Sequence, residues 1–113
     1  MTPAFQALLD RCLALPGVAA YGLRGPDRSF QHRANTDWFH AEQLQKLVAQ
    51  LAQALEGLRG REIDVSHACW VFEHARLFIA QRDDGTVLVL FAENRPSLQL
   101  ADCQQVLDDF LRL

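Results

Sequence analysis

The segment LLDRCLALPGVAAYGLRG, Leu8 to Gly25, narrows the possible folds more than any other stretch of this chain. An amphipathic pattern runs into Pro16-Gly17 and emerges as an apolar, extended one. Proline cannot donate to a continuing helix, and glycine readily takes the left-handed conformation that closes one. The chain therefore changes both direction and period at this dipeptide, from helix to strand.

Upstream, Thr2 followed by Pro3 is a helix start, a capping hydroxyl ahead of a residue whose missing N–H costs nothing in the first turn. Phe5, Leu8, Leu9, Cys12 and Leu13 then repeat at three and four residues and form one apolar stripe. Downstream, Val18 to Leu23 reads as a first strand. Gly25-Pro26-Asp27 supplies a turn, and Ser29 to Ala34 resumes as a second strand whose polarity suits a sheet edge.

Asp37 is placed to cap a second helix, with Leu44, Leu47, Val48, Leu51, Leu55 and Leu58 as its stripe, widened by Ala41, Ala52 and Ala54. Gly57 and Gly60 mark its end. Its outer residues, Gln43, Gln45, Lys46, Gln50, Gln53 and Glu56, carry little charge, which leaves room for a partner.

Between Ile63 and Phe91 the period is that of extended chain, with Ile63-Asp64-Val65, Cys69-Trp70-Val71-Phe72, Leu77-Phe78-Ile79 and Val87-Leu88-Val89-Leu90-Phe91 rich in β-branched and aromatic residues. Three strands result, with reversals at Glu73-His74-Ala75-Arg76 and Asp83-Asp84-Gly85-Thr86, the second a strong hairpin signal. The last strand is apolar at every position, so both faces of the sheet must be covered there. A final helix spans Leu98 to Leu113, with Leu100, Cys103, Leu107 and Phe110 on one face and Ser97 as its cap.

The order helix, two strands, helix, three strands, helix, with short connections and no repeat, predicts one α+β domain over residues 1–113 built on a five-stranded antiparallel sheet. The 113 residues suffice for one core. Half of them are hydrophobic and 22% charged, which is globular rather than disordered usage. The net charge of -3, with scattered arginines and a single lysine, argues against nucleic acid as a partner. No run approaches a membrane span and MTPAFQALLDRC is unlike a signal peptide, so a cytoplasmic location is expected. Cys12, Cys69 and Cys103 each fall where their element's period would bury them, which predicts three reduced core thiols.

The most specific parts of this pattern are CLALPGV leading into the first strand, the Asp-Gly hairpin before VLVLFAE, and RPSLQLADCQQVL. In these, and over nearly its whole length, the chain resembles the roadblock family, small domains of dynein light chains and of bacterial and archaeal regulators of Ras-like GTPases. The resemblance implies a profilin-like sandwich with the middle helix on one face of the sheet and the terminal helices on the other. It also implies a homodimer in which third strands and middle helices of two chains meet. The third strand, VSHACWVFEH, is long and aromatic for an edge, and such an edge invites a second chain. The residues expected at an interface with a second copy or another partner are Val65, His67, Cys69 and Trp70 on the strand, Leu44, Leu47 and Leu51 on the helix, and Trp38 before it. Trp70 divides between packing and interface; Phe72 is expected to pack.

No catalytic or cofactor motif is evident. His67 and Cys69 share a strand face and could begin a zinc site, with His32, His40, Glu73 or His74 to complete it, yet no ligand spacing supports this. Asp83-Asp84 lacks the alternating ligands of a calcium loop, and no phosphate loop is present. The expected function is a non-enzymatic module that binds a small Ras-like GTPase or scaffolds a complex. Its rivals are a profilin- or PAS-like small-ligand sensor, which would keep a cavity between sheet and helices, and a small zinc enzyme centred on His67 and Cys69.

Overall fold

The computed structural model describes residues 3–35, 41–59 and 67–113. In chain order the elements are α1 (Pro3–Ala14), β1 (Val18–Arg24), β2 (Phe30–Ala34), α2 (Ala41–Arg59), β3 (His67–Val71), β4 (Ala75–Gln81), β5 (Val87–Glu93) and α3 (Leu100–Arg112). The strands form one antiparallel sheet in the order β2-β1-β5-β4-β3.

Pro16-Gly17 acts as its chemistry requires. Leu15 and Val18 N–H groups bond back to Cys12 and Leu15 carbonyls, and Gly17 takes a φ of 86°. A side chain there would be strained and would press on Leu98, 3.1 Å from the position of a Cβ. Gly17 O then accepts from Glu93 N–H at 2.8 Å, which ties the turn to the end of β5.

β5 lies at the centre of the sheet, and its apolar run from Val87 to Ala92 is buried on both faces as its composition demands, with only the terminal Glu93 partly exposed. Alternation sends Leu88, Leu90 and Ala92 to the side of α1 and α3, where they join Leu9, Cys12, Tyr21, Phe78, Cys103 and Phe110. Val87, Val89 and Phe91 go to the other side, with Ala20, Ile79, Leu44, Val48 and Leu55 of α2. Gly22 admits that helix closely, since a Cβ on it would lie 2.9 Å from Val48 Cγ2. The middle helix thus covers one face and the terminal helices the other.

Several boundaries differ from the sequence expectation, each for a local reason. Ser29 lies outside β2 because its N–H bonds Asp27 Oδ1 at 3.0 Å in the turn. Gly57 is inside α2, which continues to Arg59; Gly60 and the proposed cap Asp37 fall outside the described residues. Ser97 does not cap α3. A further turn, closed by Leu98 N–H to Arg95 O at 3.0 Å, buries Leu98 first, and the helix starts after Gln99 without a side-chain cap. The reversal after β3 is tighter than expected, with Phe72 N–H bonding Ala75 O across Glu73-His74. Among the described residues no helix is long and apolar enough to cross a membrane.

The far end of α3 is held by a residue with no role in the sequence reading. Arg82, just past β4, donates from Nη1 to Phe110 O at 2.6 Å and from Nη2 to Leu113 O. Its guanidinium also lies 5.5 Å and 5.7 Å from the ring centroids of Phe5 and Phe110, an edge-to-face pair. A cation at a helix C-terminus is favoured by both the free carbonyls and the helix dipole.

Candidate protein interface

The two edges of the sheet differ in chemistry. β2 presents exposed Gln31, His32 and Arg33, a polar margin of the kind that discourages further strand pairing. β3 reads His-Ala-Cys-Trp-Val and continues into Phe72. Because Phe72 donates to Ala75 O at 2.8 Å, the alternation of an antiparallel ladder turns the main-chain groups of Trp70 and Ala68 toward β4. The same alternation points those of His67, Cys69 and Val71 away from the sheet, where no other described strand meets them.

Side chains on β3 divide by face. Ala68 and Trp70 pack half-buried against the α2-side core. His67, Cys69 and Val71 lie on the opposite face and are exposed, Val71 at 59%. Cys69 therefore corrects the expectation of three buried thiols: α3 covers β4 and β5 but stops short of the edge strand, and only Cys12 and Cys103 are buried. Burial pushes the Cys12 thiol up to about 12 and raises that of Cys103. Phe72 corrects the expectation that it packs beside Trp70, because it falls past the strand's last residue and is 54% exposed.

On α2, Leu47 and Leu51 are half-buried at the border of the core and Leu58 is 37% exposed near the helix end. Leu44 is fully committed to the sheet and offers a partner no surface, since it sits on the centre line of the helix's inner stripe. Helix and sheet are also joined by Gln81 Nε2 donating to Glu56 Oε1 at 2.7 Å. The structure thus brings Trp70, Leu47 and Leu51 into one layer and puts His67 and Cys69 on the other face. Trp38 and Val65 lie outside the described residues.

His67 and Cys69 do share a face, opposite Ala80 and Phe78 of β4. Among the described residues no three His, Cys, Asp or Glu side chains come together to hold a metal. Sequence reasoning missed Val71 and Leu58 as surface residues. Periodicity assigns an apolar side chain to a face, and whether the covering helix reaches that far depends on where the helix ends.

A five-stranded antiparallel sheet with one long helix on one face and two terminal helices on the other, in this strand order, is the roadblock fold. The chain is similar to Myxococcus xanthus MglB, with a TM-score of 0.74 at 16% identity over 97% of this chain and 94% of that one. It is similar also to a Roadblock/LC7 domain from Streptomyces avermitilis, with a TM-score of 0.67 at 17% identity over 95% and 88%. A structure described as MglB with tetrameric arrangement matches with a TM-score of 0.68 at 16% identity over 99% and 90%. No protein-family model and no curated protein matches the sequence.

Proposed function

We propose that this chain is a non-enzymatic, homodimeric interaction module of the cytoplasm, which pairs through β3 and α2 and docks a small Ras-like GTPase or a scaffold protein across the two subunits. The observation that carries this reading is the edge strand itself: outward main-chain groups at His67, Cys69 and Val71 that no other described strand meets, apolar flanks, and the half-buried Trp70, Leu47 and Leu51 beside it. Unpaired strands of this composition associate readily, and a two-fold axis satisfies both copies at once. The likeness to MglB structures, one with a tetrameric arrangement, supports assembly from such a fold. Val65 and Trp38 belong to the same proposed surface.

Such a module acts by binding one conformation of its partner's switch loops more tightly than another, which needs no catalytic side chain of its own. The sensor alternative requires a cavity between sheet and helices. Among the described residues, fully buried Leu9, Leu88, Leu90 and Phe110 fill one layer and Leu44, Val48, Leu55 and Val89 the other, and the groove of about 250 Å³ between α2 and the sheet lies at the end of that second layer, beside Arg24, Glu56, Gln81 and Asp84. The test is affinity capture from native cytosol with the purified chain in GDP and in a non-hydrolysable GTP analogue. Recovery of a GTPase in one nucleotide state supports the reading; recovery of no GTPase and no scaffold protein in either state overturns it.

A further inference from the structure

The sheet face opposite α2 carries a separate feature. Arg76, near the start of β4, is half-buried, and its Nε donates to Asn94 Oδ1 at 3.0 Å. Asn94 is itself fixed, its Nδ2 donating to Phe72 O at 2.9 Å and Glu73 O at 3.4 Å and its main-chain N–H to His74 O at 3.1 Å. The guanidinium is therefore anchored through Nε, and among the described residues its two terminal nitrogens meet no hydrogen-bond acceptor. Among the described residues no carboxylate lies within ion-pair distance of Arg76, whereas neighbouring Arg95 pairs with Glu93 at 2.5 Å and Arg11 with Asp109 at 2.9 Å. A planar fork held in one orientation is pre-set for a carboxylate, because little freedom remains to be lost on pairing.

Arg76 lines a groove of about 370 Å³ with Asn94, Arg95, Pro96, Leu98 and Leu100. Leu100, the first residue of α3, is 41% exposed, and the strongly exposed Val71 is the cross-strand partner of Arg76. An oriented cation bordered by large apolar side chains left in water is the composition of a protein-recognition site, in which a desolvated arginine and apolar contacts act together.

We propose that this groove docks a short segment of a partner protein bearing an Asp or Glu flanked by apolar residues, the carboxylate on Arg76 and the apolar side chains against Leu100 and Val71. The occupant follows from charge: one unpaired guanidinium among apolar walls matches a single carboxylate with apolar neighbours, while a polyanion would need several free cations. The site lies on the sheet face opposite Trp70 and α2 and shares with the pairing proposed above only Val71, whose side chain is on the groove's face of the sheet while its main-chain groups point out along the sheet edge.

The probe is a set of hexapeptides holding one Asp or Glu among Leu, Ile and Phe, each matched by its Asn or Gln counterpart, with binding to the full chain followed by fluorescence anisotropy. The expected result is saturable binding of acidic members, with amide counterparts about tenfold weaker, the scale of one charge-assisted pair. Arg76→Gln should lose about the same factor, Arg76→Lys should recover part of it, and Arg28→Gln, in a distant turn, should change nothing. Leu100→Asp, at an exposed position, should abolish binding with the thermal melt kept, and stands in for Arg76→Gln should that variant unfold. Equal binding of acidic and amide peptides, no binding at millimolar peptide, or undiminished binding by folded Arg76→Gln overturns the proposal. Loss of self-association in Leu100→Asp together with peptide failure would assign the groove to a second copy and also overturn it.

Discussion

Replacing Arg82 with methionine isolates what its guanidinium contributes, since the thioether chain keeps an apolar stem of similar length beside the Phe5 and Phe110 rings. The side chain is largely buried, and its bond to Phe110 O at 2.6 Å is partly shielded from water. A charge-assisted bond of this kind contributes about 1.5–3 kcal/mol. The cation over two rings adds about 0.5–1 kcal/mol, while the exposed contacts to Leu113 O and Asp84 add little. The expected loss is about 2.5 kcal/mol. For 113 residues the unfolding entropy is about 0.24 kcal/mol per kelvin, so the melting midpoint should fall by roughly 10 °C. Urea denaturation of both proteins at equal concentration measures the difference, and an unchanged slope would show that the unfolded state is the same. A loss below about 0.5 kcal/mol, the level of an ordinary surface substitution, would refute the view that Arg82 anchors the end of α3.

Gly57→Ala should stabilise the chain by about 0.5–1 kcal/mol, because the residue is helical and exposed with no atom of the described residues within 4 Å of a Cβ; a lower urea midpoint would contradict this. Ellman's reagent should titrate Cys69 rapidly in the native protein, and Cys12 and Cys103 only on unfolding, with Cys69→Ser removing the fast phase. Asp27, Asp84 and Asp109 have lowered pKa values, owing first to hydrogen bonds from the Ser29 side chain, the Thr86 backbone and the Gln105 side chain respectively. Their folded-state values lie below the unfolded ones. The stability they contribute is thus present above about pH 4 and lost as pH falls through the folded values, and thermal melts should decline there rather than rise.

The fold was legible because its strongest signals are local and mutually consistent. Pro16-Gly17 ends one period and starts another, Asp84-Gly85 closes a hairpin, and the uninterrupted apolar run Val87 to Phe91 can only be a strand covered on both faces. The candidate surface was legible in outline as a proposal, since an aromatic edge strand and a weakly charged helix stand out in composition. Its details were not. Cys69 and Phe72 lie where their period would bury them, and they are exposed because α3 stops short of the edge and β3 ends at Val71. The fixed orientation of Arg76 depends on Asn94, and the grip on α3 on Arg82, contacts made 18 and 28 residues apart in sequence. No periodicity encodes pairings of that kind.

The proposed assembly depends on the outward main-chain groups of β3, and sedimentation velocity of the purified chain at micromolar concentration tests it most directly. The account predicts a species of twice the 12.8 kDa chain mass, reduced to the single-chain mass by Cys69→Pro, which removes an outward N–H without touching the ladder to β4. A wild-type chain sedimenting as a well-behaved 12.8 kDa particle would contradict it.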